Sequence, residues 1–353
     1  MWTLFLFCVV WFLPQTASSW QYTTPSNGYR PNRHKVALAG GSGQLGRTII
    51  DGLIAANQQD IVILSRRDPN TDETLPGVSW NKVDYENKTD LVRALRGVDT
   101  VLSFIIVHTD PNDIAQQNLI DASVEAGVNR FAPSEWSAAD VSLLPWYSGK
   151  AKIREYLKNL NKKKRVLEYT LFQPGLILDY YTFPHVWHKH IKPLQIPIDF
   201  GLRRALLVDG TRDRITFTTV HDVVKIVTQA LNYKGTWPTV GGIRGNLPIS
   251  ASQLVAIGNR PRGPQEFVVE RLQSEDLQAG EVKSSWIPQP NHTSASNMTQ
   301  EERDAFGRVI TRGVLLSFAS GAFSVTGEWN RLFPGTRFGE TEEFLSWFWR
   351  GRP

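Results

Sequence analysis

Short apolar runs alternate with segments of helical periodicity along the first half of this 353-residue chain. Turn residues bound each run, and apolar residues at helical spacing follow it, which is typical of buried strands that lead into amphipathic helices. Strands that alternate with helices pair in parallel and carry helices on both faces. The pattern therefore predicts an α/β fold with a doubly wound parallel sheet. We predict strands at residues 36–39, 60–67, 78–84, 100–106 and 130–132, and helices at residues 43–56, 90–96, 113–126 and from residue 148 onward.

The pattern becomes irregular and rich in aromatic residues after residue 179. We interpret residues 180–353 as a smaller substrate lobe, interleaved with the last strands and helices of the sheet. Its aromatic side chains suit a flat or hydrophobic ligand, and packing of the lobe explains them equally well. We predict a strand at 214–219, a helix at 223–231 with Asp222 as its N-cap, a surface loop at 284–299 and a helix at 340–349. The last helix is expected to bury a face containing Phe344, Leu345, Trp347 and Phe348.

A glycine-rich turn joins the first strand to the first helix and consists of Gly40, Gly41, Ser42, Gly43, Gln44, Leu45 and Gly46. Glycines permit a turn with positive φ, let the backbone approach a pyrophosphate and let the helix pack closely on the strand. The helix N-terminus adds unpaired N–H groups and the positive end of the helix dipole. An ordinary glycine-rich loop is the alternative. The strand before and the helix after favour a dinucleotide-binding turn in a Rossmann-type domain at residues 35–179.

The end of the second strand indicates which dinucleotide binds. In a Rossmann unit, an acidic residue some 20 positions after the last glycine binds the ribose 2′-hydroxyl of NAD. Arg66 takes that place here, and a cation at this point accommodates the 2′-phosphate of NADP. Two exposed arginines at a strand end, Arg66 and Arg67, are the alternative. We therefore predict NADP(H) as the cofactor.

Two further residues at strand ends are candidates for cofactor binding. Asp84 ends the third strand, where it is within reach of an adenine; helix capping or turn formation is the alternative. Ser103 lies where the carboxyl end of a strand meets the bound cofactor in open α/β sheets. Both are expected at the same edge of the sheet as the glycine-rich turn.

Composition and charge narrow the class of ligand. The formal net charge is +5 and the isoelectric point is near 9.2, which suits anionic ligands. The only tight basic run, residues 162–165, is typical of a solvated loop, so we expect no nucleic-acid partner. Cys8 is the single cysteine, which excludes an intrachain disulfide and a cysteine-based metal site. His185, His188 and His190 cluster without metal-ligand spacing, and we interpret them as pocket or surface residues rather than as metal ligands.

The N-terminus resembles a secretory leader. An apolar run at residues 2–13 precedes small residues that end at Ser19, although no Lys or Arg comes before the run. We interpret residues 1–19 as a signal-like leader and residues 20–34 as a flexible lead-in. A short membrane tether and a misplaced translation start are the alternatives. A leader favours the secretory pathway or endoplasmic reticulum and glycosylation at Asn87, Asn291 and Asn297; without it the protein is cytoplasmic.

The proton donor used by most short-chain dehydrogenases is missing. Those enzymes place a lysine four residues after a tyrosine, and none of the nine tyrosines here has a lysine at that spacing. The nearest approach is Tyr147 with Lys150, three residues apart. The usual scheme for carbonyl reduction is therefore excluded.

Several motifs, in this order along residues 34–350, resemble the NmrA-like and isoflavone-reductase-like atypical short-chain dehydrogenases. Two are specific: Pro-Ser-Glu at residues 133–135 and Lys-Ala-Lys-Ile-Arg at residues 150–154. The others are the glycine-rich turn, the helix motif that starts at Gln116, and Ile-Thr-Phe-Thr-Thr-Val-His-Asp-Val-Val at residues 215–224. The family's usual Pro-Ser-Glu-Phe-Gly ends in Trp136-Ser137 here, so substrate preferences are not transferred.

The resemblance implies roles for single residues. Lys150 corresponds to the family's catalytic lysine, Gly40, Gly43 and Gly46 to pyrophosphate contacts, and Arg66 to the 2′-phosphate contact; Gln116 joins the cofactor-binding set. Lys150 is thus expected to transfer protons or orient the cofactor. Binding of the nicotinamide ribose alone, or a place among exposed helix lysines such as Lys152, is the alternative.

These features predict an NADPH-dependent oxidoreductase that reduces a small hydrophobic carbonyl or conjugated alkene in secondary metabolism, on a polyketide- or phenol-like substrate. The alternative is a non-catalytic redox sensor of NmrA type that binds NADP(H) and regulates a partner. We expect a small-molecule substrate and no metal, and a homodimer is compatible with the sequence.

Overall fold

The structure is a computed structural model that describes residues 33–69, 75, 77–211, 213–260, 265–289 and 298–352, and residues from 33 onward form one compact unit. The predicted leader, the lead-in up to residue 32, Cys8 and the sequons at Asn291 and Asn297 lie outside the described residues. Asn87, the remaining sequon, is exposed and caps a helix by accepting a hydrogen bond from the Asp90 N–H.

The first half of the described chain alternates strands and helices as predicted. Its elements are β1 (His34–Ala39), α1 (Gln44–Ala56), β2 (Gln59–Ser65), β3 (Val78–Lys82), α2 (Lys88–Ala94), β4 (Thr100–Ser103), α3 (Ile114–Glu125), β5 (Arg130–Ala132), α4 (Ser148–Leu160) and β6 (Glu168–Tyr169).

The second half has shorter strands and more helices. Its elements are β7 (Leu171–Gln173), β8 (Leu176–Ile177), β9 (Ile198–Asp199), β10 (Arg204–Val208), β11 (Phe217–Thr218), α5 (Val220–Asn232), β12 (Val240–Gly242), α6 (Ala251–Asn259), β13 (Val268–Leu272), α7 (Ser274–Ala279), α8 (Gln300–Ala319), α9 (Glu328–Leu332) and α10 (Thr341–Trp349).

Six parallel strands form the main sheet in the order β3-β2-β1-β4-β5-β6. The order reverses at β1, whose Val36 is paired with Ile61 on one side and Thr100 on the other. Ligands of open α/β sheets bind beyond the carboxyl ends of the strands at such a reversal. The fold is therefore the predicted Rossmann-type α/β fold, and its binding edge lies after β1, β2 and β4.

Helix α1 packs closely on its neighbours. Its Ile49, Ile50 and Leu53 are fully buried in the core on one face of the sheet. Residues of α5 belong to the same core, and α5 comes so near to α1 that a Cβ on Gly52 would lie 2.1 Å from Val224 Cγ1. The helix that carries the glycine-rich turn therefore packs against both the sheet and a helix of the second half of the chain.

The second half adds three small sheets that are separate from the main sheet. Strand β12 pairs in parallel with β7, β11 pairs in parallel with β8, and β10 lies between β9 and β13. A second core, built around Tyr181, Phe200 and Phe217, joins these pairings to α6 and α10. The division at residues 179/180 stays a prediction.

Several local predictions were wrong. Strands β2, β3 and β4 end at residues 65, 82 and 103, two to three residues before the predicted ends at 67, 84 and 106. Thr219, not Asp222, is the N-cap of α5, and its hydroxyl oxygen accepts a hydrogen bond from the Asp222 N–H at 3.1 Å. The strand predicted from residue 214 is confined to Phe217–Thr218. Trp347 on α10 is 59% exposed, and Trp349 is the buried indole, because the helix is rotated so that it packs through Leu345, Phe348 and Trp349.

Five aromatic rings stack in a column from the binding edge of the sheet into the second half. The ring centroids of Phe104 and Trp136 are 4.7 Å apart, those of Trp136 and Phe172 5.1 Å, and the column continues through Trp329 to Phe333 at steps of 5.5 Å. All four interplanar angles are 20° or less. We call this set the ring column.

Helices long and apolar enough to cross a bilayer are absent from the described part of the chain.

Candidate active site

The glycine-rich turn leaves room for nothing larger than hydrogen at two positions. Gly40 has φ of +70°, and a Cβ there would lie 3.0 Å from the Phe104 carbonyl carbon and oxygen. A Cβ on Gly46 would lie 2.8 Å from the Gly41 Cα, so the first turn of α1 packs directly on the backbone of the glycine-rich turn. These are the turn and close-packing functions of glycine in a dinucleotide-binding loop.

The N-terminus of α1 is bare. Gly43 is the N-cap and supplies no side-chain acceptor, and no acidic residue occupies the first turn. Ser42 and Gly43 are exposed, while Leu45 packs partly against the core. The end of this helix therefore offers backbone N–H groups and a positive dipole to an anion.

Gln44 does something the sequence did not predict. Its side-chain oxygen accepts a hydrogen bond of 2.9 Å from the Lys192 backbone N–H. His190 contacts the same helix, with its Nε2 2.9 Å from Asp51 Oδ2. The clustered histidines thus include one that fastens residues 188–192 to α1, and among the described residues no group of His, Cys, Asp and Glu can hold a metal ion.

Arg66 follows β2 at the binding edge and is exposed. No ion pair of Arg66 occurs among the described residues, although its charge acts on the nearby Tyr85 phenol. Tyr85 is buried and donates a hydrogen bond to the Leu64 carbonyl at 3.0 Å. Burial raises the pKa of Tyr85. The guanidinium of Arg66 is therefore available to an anion beside the glycine-rich turn.

Asp84 is exposed and takes part in a turn. Its Oδ1 accepts from the Glu86 N–H at 2.9 Å, and its own N–H donates to Asp90 Oδ2 at 2.9 Å. The turn alternative thus accounts for its contacts, and contact with adenine stays a prediction.

Ser103 and Gln116 meet at the carboxyl end of β4. The Ser103 hydroxyl donates to Gln116 Oε1 at 2.9 Å, and the Ser134 N–H donates to the same oxygen at 3.2 Å. Gln116 Nε2 is buried without a hydrogen-bond partner among the described residues. A buried amide donor without a partner is costly, so this nitrogen marks a place for an acceptor.

Lys150 lies in the first turn of α4 and is 7% exposed. Its Nζ donates to the carbonyl oxygens of Ser134 and Glu135, at 2.8 and 2.5 Å, and lies 4.3 Å from the centre of the Tyr147 ring. Burial lowers the pKa of Lys150 to about 8; the Glu135 charge opposes this effect and the Arg154 charge adds to it. The alternative that Lys150 is merely an exposed helix lysine is therefore wrong.

Lys152 is the exposed lysine of this helix. Its Nζ lies 3.5 Å from Asp113 Oδ2. Gly149 is needed beside the same carboxylate, because a Cβ there would lie 1.9 Å from Asp113 Oδ1. The N-terminus of α4 is thus packed tightly against residues 107–113, which line the cavity next to Lys150.

Glu135 and Arg154 were quoted in the sequence motifs without a role. Glu135 is 1% exposed, and its carboxylate forms an ion pair with the guanidinium of Arg154. Arg154 also donates to the carbonyls of Ala138 and Ala139, at 3.1 and 2.8 Å. The pair fixes the loop whose carbonyls hold Lys150, and only spatial proximity could have revealed it.

Trp136 shapes the wall beside this loop. Its φ of +39° is unusual for a side chain of this size, and its indole N–H donates to the Ser103 carbonyl at 2.7 Å. The ring stands in the ring column between Phe104 and Phe172. The departure from the family motif therefore adds a hydrogen bond to an aromatic wall.

Comparison with known proteins agrees with this geometry. A family model described as the NmrA-like family matches residues 32–265. The oxidoreductase BOA1 of Botryotinia fuckeliana is 28% identical over 207 residues, which are 56% of this chain and 66% of that protein. The oxidoreductase swnN of Metarhizium robertsii is 22% identical over 342 residues, 89% of this chain and 97% of that protein.

Solved structures share the fold. AtPrR2 with NADP+ and (+)pinoresinol superposes with a TM-score of 0.63 at 18% identity, covering 90% of this chain and 100% of that one. The quinone oxidoreductase QOR2 of Escherichia coli gives a TM-score of 0.63 at 18% identity, with 89% and 100% covered. An isoflavone reductase gives 0.62 at 17% identity, with 90% and 100% covered.

Proposed function

This chain belongs to the NmrA-like family, and from that premise we propose that it is an NADPH-dependent oxidoreductase acting on a small hydrophobic carbonyl or conjugated alkene. One observation carries the proposal. A buried lysine of lowered pKa, Lys150, lies in a loop-and-helix corner at the same sheet edge as a bare, glycine-lined helix N-terminus. Perturbed cations in such positions are typical of catalytic sites.

The residues at the edge fit a dinucleotide. Gly40, Gly43 and Gly46 would hold the pyrophosphate against the N-terminus of α1, because a side chain at Gly46 would fill the space next to the Gly41 backbone. Gln116 Nε2 is the unpartnered donor that would face the nicotinamide end. NADPH supplies a hydride when bound, while the protein supplies orientation and electrostatics.

Arg66 supports NADPH over NADH. Its guanidinium forms no ion pair within the described residues and stands where β2 ends. A phosphate matches such a group through charge-assisted hydrogen bonds, which are stronger than those to the hydroxyl of NADH.

Lys150 orients the cofactor and takes part in proton transfer. The carbonyls of Ser134 and Glu135 fix its ammonium group in place. A pKa near 8 puts proton exchange within reach at neutral pH, which an ordinary lysine does not achieve.

The aromatic wall supports the substrate class. Phe104 and Trp136 stack on each other at the binding edge, and aromatic walls are typical of pockets for flat apolar substrates. Among the proteins of similar fold, one is named for pinoresinol and another for quinones. We assign the reaction to secondary metabolism on this basis; a homodimer, a cleaved leader and glycosylation at Asn87 remain predictions of the sequence.

The test has two stages. Calorimetric titration with NADPH and NADH is expected to show at least tenfold tighter binding of NADPH. Turnover is then followed by loss of NADPH absorbance with p-benzoquinone, trans-cinnamaldehyde and acetophenone. Reduction of at least one probe, abolished in Lys150→Met, supports the proposal.

One observation favours the redox-sensor alternative. The cavity that Lys150 lines has a volume of about 10 Å³, which is room for a single water molecule. A stoichiometric NADPH complex that reduces none of the three probes would replace the enzyme proposal with this one.

A further inference from the structure

The ammonium group of Lys150 has no donor left for a substrate. Two of its three N–H bonds are directed to the carbonyls of Ser134 and Glu135. The remaining side of the group faces the Tyr147 ring, whose centre is 4.3 Å from Nζ. A substrate oxygen that needs a hydrogen bond must therefore obtain it from a neighbour of Lys150.

Tyr147 is that neighbour. The side chains of Ser137 and Trp146 lie near its phenol oxygen and favour the phenolate. The indole N–H of Trp146 can only donate, so the phenol O–H cannot donate to it and is left for an acceptor elsewhere. Among the described residues, that O–H has no carbonyl or carboxylate as its partner.

The surroundings keep this phenol neutral and place it between the two cores. Burial raises the pKa of Tyr147, and the Glu135 charge raises it further. Tyr147 packs against the core of the second half, and its phenol also acts electrostatically on Tyr180, which packs against both cores. A neutral phenol at the boundary between the nucleotide half and the second half is well placed to contact a substrate.

We propose that the Tyr147 hydroxyl is a catalytic hydrogen-bond and proton donor to the substrate's carbonyl oxygen, with Lys150 acting behind its ring. This inference rests on the proposed function and adds a residue to it. Tyr147 and Lys150 then form a tyrosine–lysine pair that is three residues apart rather than four, with the lysine cation over the face of the tyrosine ring.

The step balances as follows. Hydride addition to the carbonyl carbon, or to the β-carbon of a conjugated alkene, breaks a π bond and moves its electron pair onto the substrate oxygen. That oxygen takes the proton of Tyr147 Oη, which leaves a tyrosinate. The Lys150 cation and the donors of Ser137 and Trp146 stabilise the tyrosinate until water returns the proton. For an alkene the resulting enol tautomerises in water.

Tyr147→Phe removes the hydroxyl and keeps the ring beneath Lys150, so folding and the cation–π contact are retained. Loss of one such donor costs about 100-fold in turnover, and we expect kcat on any reduced probe to fall by that factor. Tyr156→Phe is the matched control, because Tyr156 lies on α4, which begins directly after Tyr147, and its hydroxyl donates to Asp121 instead. Equal kcat for the two variants overturns the proposal.

A second measurement does not depend on turnover. We expect the NADP+-loaded protein to bind p-nitrophenol as its yellow phenolate, because the Tyr147 O–H and the Lys150 charge favour an oxyanion. Tyr147→Phe is expected to weaken this binding at least tenfold, and Tyr156→Phe to leave it unchanged. If Tyr147→Phe leaves the phenolate band intact, the inference fails. If no probe is reduced but phenolate binding depends on Tyr147, the proposed reduction fails and the donor site stands.

Discussion

The amino and carboxyl ends of the main sheet both carry charged and polar side chains. They differ in whether those side chains have hydrogen-bond or ion-pair partners within the protein. The amino end opens on a cleft of about 410 Å³ lined by charged residues, among them Arg130, Arg165, Glu168 and Lys234. Arg130 pairs with Glu168 at 3.1 Å, donates to the Tyr233 and Gly235 carbonyls at 2.7 Å each, and lies over the Trp237 ring. Each of its three nitrogens thus has a partner within the fold.

At the carboxyl end the cavity beside Lys150 measures about 10 Å³, and several polar groups there have no partner among the described residues. Arg66 is without an ion pair in the described chain, Gln116 Nε2 is buried without an acceptor, and the α1 N-terminus has no side-chain cap. Lys150 is held there with its charge disfavoured by burial. The larger cavity therefore lies at the amino end, whereas the polar groups without partners among the described residues lie at the carboxyl end. We take the polar groups, not the cavity volume, as the guide to the candidate site.

Lys150→Met tests the carboxyl end most severely. We propose that Lys150 supports proton transfer through its charge; loss of an acid–base function costs about 10²–10⁴-fold in turnover, and we expect kcat on a reduced probe to fall by a factor in that range. Lys152→Met, two residues away and exposed, is the control and is expected to change kcat less than twofold. Similar losses in both variants would mean that the helix as a whole, not Lys150, is required.

Arg130→Met tests the amino end. It leaves the Glu168 carboxylate, of which 12% is exposed, without its inner partner, and breaking such a pair costs about 3 kcal/mol. We expect urea denaturation to report that loss while the NADPH affinity of the folded protein stays within twofold. A large change in affinity at unchanged stability would make the amino end a functional site.

The pH dependence of the free energy of unfolding tests whether burial lowers the pKa of Lys150. Its pKa is about 8 in the native protein and 10.5 ordinarily, so between these values the unfolded chain binds the proton that the native chain has released. The free energy of unfolding of the wild type should therefore rise with pH across this window, relative to Lys150→Met, by about 3 kcal/mol. The difference is measured by urea denaturation at pH 7 and pH 10.5; parallel curves would contradict it.

Arg66→Gln is expected to have the smallest effect of the four. Loss of charged hydrogen bonds to a phosphate costs about 2 kcal/mol, or roughly 30-fold in NADPH affinity, with NADH affinity unchanged. Arg67→Gln serves as the neighbouring control. Equal weakening of both dinucleotides would remove Arg66 from the 2′-phosphate site.

The first half of the fold could be predicted because local patterns determine it. The strand, glycine turn and helix at residues 36–56 carry their signals within a few residues of each other, and the structure confirms them. The prediction of Asp222 as the N-cap was wrong because Thr219, three residues earlier, caps the same helix end. The prediction that Trp347 is buried was wrong because the rotation of a helix depends on what it packs against, which periodicity in an aromatic-rich stretch cannot show.

The candidate site was predictable as a set of positions but not as a set of contacts. Lys150 and Gln116 were chosen by motif, whereas the Glu135–Arg154 pair and the engagement of Gln44 with Lys192 join residues distant in sequence. Such contacts follow from tertiary packing, which the residue pattern of a single sequence does not predict.

The ring column gives the protein an optical property. Stacked indole and phenyl rings held at fixed angles couple their transition dipoles, so Trp136 and Trp329, both stacked on Phe172, should dominate the near-ultraviolet circular dichroism. Because Trp136 lines the binding edge and Trp329 belongs to α9 in the second half, one spectrum reports on the junction of the two halves. Binding of a ligand that shifts Trp136 should therefore change the near-ultraviolet circular dichroism, without an added dye and without turnover.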